Sequence, residues 1–473
     1  MRFEHGKNIF TRHLVTRVRP FILFSLLVSF LNLGGGCASL PNVSEMIASA
    51  PDMNKPPQIV SAQGPLSPGE SQGIIDQLKQ AVPPTDILTR YLAVMELWGK
   101  TPLTSGNKVT LLVDDDASYA AMLEAIQNAK DHINLETFFI DDDKVGHRFS
   151  ELLRQKQAQG VQVNLIYDSI GSHDTPVSFF KRLQDAGINV VEFHPTSPTG
   201  TPGPWLQLRL DHRKILVVDG TLAIMGGVNT SQGYSTGVPE GKEPVPWRDT
   251  DVQIEGPAVA QIQKLFLDIW QQRGGPKLPQ RSYFPKLKEE GDVLVRVVSN
   301  TPGEHNRMTF VMYVSAITFA RHSVHLTTAY FIPDAQTMRA LTDAAKRGVD
   351  VKIVLSSISD SPMSIDAARS HYSELLKAGV KIYEQRKAFM HAKTAVIDGI
   401  WSTVGSTNMD YWSFLSDDEI NAVVIDRQFA NEMETLFEKD IWRSDQIKLE
   451  DWEKRPVSPR LGEWFAHLFV HWL

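Results

Sequence analysis

The chain has 473 residues, 42% of them hydrophobic and 22% charged, with a formal net charge of −7. That length exceeds one ordinary core and implies two domains or more with a sizeable interior. The acidic balance argues against nucleic acid as a partner, which needs a basic face, and the single cysteine, Cys37, excludes an internal disulfide.

In chain order, residues 1–19 carry Arg2, Lys7, Arg12, Arg17 and Arg19 and no acid after Glu4; the apolar run PFILFSLLVSFLNL and then GGGCAS follow. A basic start, an apolar middle and small residues at the end describe an export signal or membrane anchor over 1–37. Its boundary admits three outcomes. Cys37 resembles the acylated cysteine of bacterial lipoproteins, with Gly34 where such signals usually carry Leu. The run is also just long enough to serve as an uncleaved anchor, and cleavage after Ala38 is the third. All three predict an exported chain, membrane-associated on the periplasmic side of a bacterial envelope. Residues 38–105 read as a tether rich in Pro, Gly and Ser, with a short helix at IIDQLKQ. It ends in a leading helix, TDILTRYLAVMELWGK, with Thr85 or Asp86 as cap and Leu88, Leu92 and Met95 on one side.

From about residue 106 strands and helices alternate. KVTLLVD is a strand, ASYAAMLEAIQNAKD a helix with Tyr119, Met122, Ile126 and Ala129 on one face, and HINLETFFI a strand. GHRFSELLRQKQAQG is a helix, VQVNLIYD a buried strand, PVSFFKRLQDAG a helix and INVVEF a strand. The order then repeats: HSVHLTTAYFIP, AQTMRALTDAAKRG, VDVKIVLS, RSHYSELLKAG and VKIYEQ. The chain thus divides into a first domain over 106–288, a second over 289–445 and an amphipathic tail over 446–473, the domains being duplicated α/β layers. In the tail, RLGEWFAHLFVHWL sets Leu461, Trp464, Phe465, Leu468, Phe469 and Trp472 on one helical side. That side suits either packing on the protein body or an interfacial membrane helix.

Each half ends in nearly the same string, LDHRKILVVDGTLAIMGGVN at 210–229 and FMHAKTAVIDGIWSTVGSTN at 389–408. Asp-Gly between apolar runs predicts a hairpin. Asp219 and Asp398 then have two readings, as turn residues capping backbone amides or as direct catalytic groups. On a strand, residues two apart share a face, so His212 and Lys214 project together, as do His391 and Lys393. Imidazole beside ammonium suits phosphate chemistry, the lysine neutralising oxygens and the histidine attacking phosphorus or moving protons. Phosphodiester exchange needs a nucleophile on one side and an acid on the other, so two copies facing each other complete one site.

The paired strings resemble the His-x-Lys-x4-Asp signatures of the phospholipase D superfamily. GNKVTLLVDDDASYAAMLEAI, WRDTDVQIEGPAV, TAYFIP, MHAKTAVIDG, GSTNMDYWS and EINAVVID are similar to the bacterial cardiolipin synthase branch, and the likeness runs from about residue 95 to the end. The resemblance implies two α/β/α sandwich domains related by a pseudo-twofold, with one active site at their interface. It implies a phosphatidyltransferase that passes a phosphatidyl group through a phosphohistidine to a second phosphatidylglycerol and releases glycerol. His212 would attack; His391 would protonate the departing alcohol and deprotonate the incoming one. Lys214, Lys393, Asn229, Asn408 and Ser406 would bind the phosphoryl group. Each imidazole needs an acceptor on its second nitrogen; Glu419 is expected to serve His391, and Asp249, its counterpart in the first half, His212. Trp412 departs from the branch, which commonly has Arg there. No cofactor or metal is implied, since the lysines supply the positive charge. The expected partners are a phospholipid and a membrane, with no nucleic acid. Rival readings are a phospholipase D hydrolase yielding phosphatidic acid, a nuclease of the same superfamily, and a non-catalytic lipid-binding protein. The last would be expected to lose one of the four His and Lys residues, and all four are present.

Overall fold

The computed structural model describes residues 39–50, 55–193, 209–233, 238–240, 243–302, 307–359 and 361–470. Cys37, the export segment and Trp472 lie outside the described residues. Among the described residues no helix is long and apolar enough to cross a membrane.

The duplication is visible strand by strand. In the first half the sheet runs Asn189–Phe193, Gln162–Asp168, His132–Thr137, Ile215–Val218, Leu222–Gly226, Thr250–Glu255 and Leu103–Val113. The second half repeats that order with Lys381–Gln385, Asp350–Ser356, Ser323–Thr327, Thr394–Ile397, Trp401–Gly405, Glu419–Ile425 and Val293–Asn300. Small devices repeat too. Asp143 caps one helix by accepting from Val145 N and Gly146 N, both at 2.9 Å. Asp334 caps its counterpart by accepting from Gln336 N at 2.7 Å. Strand Val293–Asn300 and the helix Met308–Phe319 were not anticipated from sequence; they are the counterparts of Leu103–Val113 and the helix Asp114–Asn128.

The halves are joined twice over. Strand Leu103–Val113 pairs with Thr250–Glu255 through Lys108–Val113 and with the second half's Val293 and Val295 through Asn107 and Thr104. Behind this seam Ile215, Val217, Val252 and Ile254 share one buried cluster with Val297, Val404, Ile420 and Val424. Eight such side chains stabilise the junction by on the order of 10 kcal/mol before the entropy of ordering them. The halves therefore share a sheet seam and one buried cluster.

The expected tether over 38–105 is corrected. Ser67 and Glu70 form a capping box for the helix Pro68–Ala81, with Ser67 N donating to Glu70 Oε2 at 2.8 Å and Glu70 N to Ser67 Oγ at 3.3 Å. Ile59, Ile75, Ile87, Leu88, Tyr91, Leu92 and Met95 are buried in one cluster with the helix Met308–Phe319. The reason lies in that helix. All its residues except Thr318 are buried, so it is apolar around its whole circumference and needs cover on the side its own sheet leaves open. The leading segment supplies it.

Candidate active site

Each His-x-Lys pair stands at the start of a hairpin strand, where the chain crosses between halves. Asp211 forms a parallel bridge with Asp418, and His212 N donates to Asp418 O at 3.0 Å. Trp247–Arg248 pairs in parallel with Phe389–Met390, and His391 N donates to Arg248 O at 2.8 Å. Each catalytic-type strand is therefore stitched to the segment that leads into the other half's acid.

This stitching reverses the expected acceptors. His212 Nδ1 pairs with Glu419 Oε1 at 3.0 Å, and His391 Nδ1 with Asp249 Oδ2 at 2.7 Å. Sequence order had paired Glu419 with His391 and Asp249 with His212; the structure exchanges them across the pseudo-twofold. With Nδ1 engaged by a carboxylate, the tautomer and orientation of each ring are fixed. Lys214 Nζ donates to its own histidine's carbonyl, His212 O, at 2.6 Å, and Lys393 Nζ does the same to His391 O. An ammonium has further donors for a phosphoryl group.

Burial governs ionisation here. It lowers Lys214 to about 7, with Glu419 pulling the other way and Lys393 pushing further down. Burial and then Lys393 push His391 down to about 3. His212 moves the same way through burial and then Lys214. Burial alone would raise Glu419 and Asp249, but the facing His and Lys groups outweigh it and hold both carboxyls below their ordinary range. At neutral pH the site thus holds neutral imidazoles donating to ionised carboxylates. Lys393 acts on His212, and Lys214 on His391. Both motifs therefore share one electrostatic neighbourhood.

The other expected residues divide. Asn229 Oδ1 accepts from Phe139 N at 3.3 Å. Asn408 is buried, with an Oδ1 that finds no hydrogen-bond partner. Ser406, expected to bind substrate, instead donates its hydroxyl to Glu419 Oε2 and accepts from Ile420 N at 3.1 Å. It holds the acid that holds His212. In the first half Gly227 takes the place of Ser406, and a Cβ there would lie 2.1 Å from Asp249 Oδ1. Asp219 and Asp398 stand away from this group, at hairpin turns with φ of 53° at both, each followed by a glycine also at positive φ. Asp219 accepts from the backbone N of Lys130, Asp131 and His132 at 2.8–3.0 Å. Asp398 accepts from Arg321, His322 and Ser323 in the same manner, and from Thr85 Oγ1 at 2.5 Å. Of the two readings the structure selects the turn. Two aromatic neighbours were missed: Phe138 lies edge-on to His212 at 5.1 Å and Trp247 beside His391 at 4.7 Å. An aromatic next to each motif in space leaves no trace in the motif's own spacing. Trp412 sits half-buried in the short helix Tyr411–Leu415.

A duplicated α/β body with two crossed His–carboxylate pairs and two buried lysines at its seam defines a phosphodiester-transferring enzyme of the phospholipase D type. Comparison with known proteins gives the branch. Residues 122–270 and 313–442 match the family described as cardiolipin synthase, PLD-like domain, and the chain belongs to that family. Cardiolipin synthase A of Pseudomonas fluorescens is 35% identical over 385 residues, covering 80% of this chain and 77% of the relative. Cardiolipin synthase of Listeria monocytogenes is 34% identical over 371 residues, covering 77% and 75%. Among solved structures, phosphatidylserine synthase from Haemophilus influenzae matches with a TM-score of 0.57 at 13% identity, covering 84% of this chain and 97% of its own, a likeness of fold. The chain is a cardiolipin synthase-like enzyme, a transferase of phospholipid biosynthesis acting on a phospholipid. The expected location is overturned: no described helix is long and apolar enough to cross a membrane, and nothing in the family match or in the cardiolipin synthases it resembles marks export or a periplasmic side.

Proposed function

We propose that the chain condenses two phosphatidylglycerol molecules, at a membrane, into cardiolipin and glycerol. His212 Nε2 attacks the donor phosphorus, the bond from phosphorus to the glycerol headgroup breaks, and His391 gives that glycerol its proton. The acceptor's headgroup hydroxyl then loses its proton to His391 and attacks the phosphatidyl-histidine, which releases His212. Lys214, Lys393, Asn229 and Asn408 hold the non-bridging oxygens. His391 must carry a proton to begin, although burial and Lys393 oppose one. A phosphodiester anion bound between the lysines offsets their charge and raises both imidazoles, so proton uptake accompanies binding.

The observation that carries the reading is the crossed bracing of the rings, His212 by Glu419 and His391 by Asp249. It orients two imidazoles that share one electrostatic neighbourhood. The test incubates purified protein with phosphatidylglycerol vesicles and identifies products by mass spectrometry. Cardiolipin and glycerol are expected, with a phosphatidyl group trapped on the peptide carrying His212 and all turnover lost in His212→Ala. Phosphatidic acid as the product, or unchanged turnover in that variant, refutes it.

A further inference from the structure

The helix Val457–His467 is amphipathic the wrong way round for a helix packed on a protein. Its buried residues are Glu463 and Ala466. Leu461, Trp464, Phe465 and Leu468 are instead 61%, 62%, 54% and 55% exposed. A helix that only covers the body turns its apolar side inward. The acid is taken off the surface: Arg455 Nη1 and Nη2 donate to Glu463 Oε1 and Oε2 at 2.5 and 3.1 Å. From Pro456 to Val470 Glu463 is the sole carboxylate, while Arg460 and His467 stay exposed. The outward face is therefore apolar and aromatic, with exposed Arg460 beside it and no exposed carboxylate of its own.

The helix is also firmly seated next to the site. Ala466 packs with Ile332 and Ala367, and Ser370 Oγ lies 3.1 Å from His467 Nδ1. Ile332 N donates to Met409 O at 2.8 Å, one residue beyond Asn408. The exposed face is thus tied through one packed residue to the segment that carries the phosphoryl-binding asparagine.

We propose that this face of the helix Val457–His467 docks on an anionic phospholipid bilayer and stations the site between the halves over the lipid surface. The proposal rests on the reading of phosphatidylglycerol as substrate, whose headgroup supplies the negative charge. Charge favours this occupant, because a face with an exposed arginine beside it and no exposed carboxylate of its own complements an anionic surface. Tryptophan selects it too, since its ring suits the boundary between headgroups and acyl chains. A second copy of the chain fits less well. One face of an 11-residue helix offers on the order of 300 Å², below half of the roughly 800 Å² per partner of a stable interface.

The test uses the full chain in vesicles of phosphatidylglycerol bearing a photoreactive group on its acyl chain. Labelled peptides are mapped, and turnover is measured on vesicles and on short-chain phosphatidylglycerol kept below its micelle concentration. The wild type should be labelled within 457–470. Leu461→Glu with Phe465→Glu should lose that label and about tenfold of its turnover on vesicles. Its turnover of the dissolved short-chain lipid and its unfolding midpoint should stay as in the wild type, because both positions face outward. No label in 457–470, or unchanged vesicle turnover in the variant, overturns the proposal. So does a wild-type dimer that the variant dissociates while vesicle labelling persists. If the wild type converts neither form of the lipid, the substrate reading fails, and the label map still decides where the chain meets the bilayer.

Discussion

Replacing Glu419 by Gln keeps the shape of the side chain and removes its charge, which isolates what the crossed bracing contributes. The carboxylate is fully buried and meets His212 Nδ1 at 3.0 Å, with Ser406 on its other oxygen. When phosphorus bonds to Nε2, positive charge grows on the ring beside this acid. At that separation and an effective dielectric near 20 the attraction is about 5 kcal/mol. An amide oxygen recovers part of it as a neutral hydrogen bond, leaving a loss on the order of 3 kcal/mol. At 1.36 kcal/mol per decade the expected fall in phosphohistidine formation is about a hundredfold. Rapid quenching of a single turnover, with the labelled peptide identified, measures it. Nitrogen-15 NMR of the imidazoles in the same variant should move the Nδ1 signal of His212 and leave that of His391 in place. A shifted His391 with an unchanged His212, or formation of the intermediate at the wild-type rate, would refute the crossed arrangement.

Lys214 must be charged to hold a phosphoryl oxygen, and burial lowers it to about 7. Its contribution is present below that pH and lost above it, so kcat/KM should fall as pH rises through about 7. Lys214→Arg, whose guanidinium stays charged, should remove that alkaline limb; a limb that stays put counts against Lys214 as its source. Ser406→Ala should lower kcat roughly threefold to tenfold with KM unchanged, as expected of a residue that holds Glu419; steady-state kinetics showing a raised KM instead would return Ser406 to substrate binding. Gly227→Ser, which copies the second half's motif into the first, should cost at least about tenfold in kcat, because the new Cβ collides with Asp249. Asp398→Ala should leave kcat within about twofold while lowering unfolding free energy by roughly 2–4 kcal/mol in denaturant titrations, since backbone amides lose their acceptor.

The repeated strings, the hairpins and the strand-helix order were legible because they depend on local periodicity and on turn chemistry. The positive φ of Asp219 and Asp398 is what an Asp-Gly hairpin turn demands. What escaped depends on contacts distant in the chain. Nothing near residues 55–98 announces the apolar helix Met308–Phe319 that they cover, so proline and glycine there read as a linker. The acceptor for His391 was sought close by in sequence, where Glu419 offers itself, yet the acid that reaches the ring is Asp249, 142 residues away. Ser406 carries a motif position that suggests substrate, and only its contact with Glu419 shows its hydroxyl turned to the acid.

The crossed bracing also bears on why both strings persist in one chain. If each half supplied its own histidine and its own acid, either half would own a braced imidazole, and the pair would be two similar sites brought close. Here each half owns a histidine braced by the other. Removing the second half takes Glu419 from His212 as well as removing His391, and the first half alone keeps no oriented ring. The two acids differ in their surroundings. Glu419, with Ser406 on its second oxygen, braces one ring. Asp249, one methylene shorter, lies against Gly227 and accepts from Thr250 N at 2.8 Å while it braces the other. Glycine at 227 leaves room for Asp249, and serine at 406 hydrogen-bonds Glu419, so each residue suits the acid it touches. Such differences across a pseudo-twofold give two like imidazoles separate surroundings, as the proposed division into one nucleophile and one proton carrier calls for.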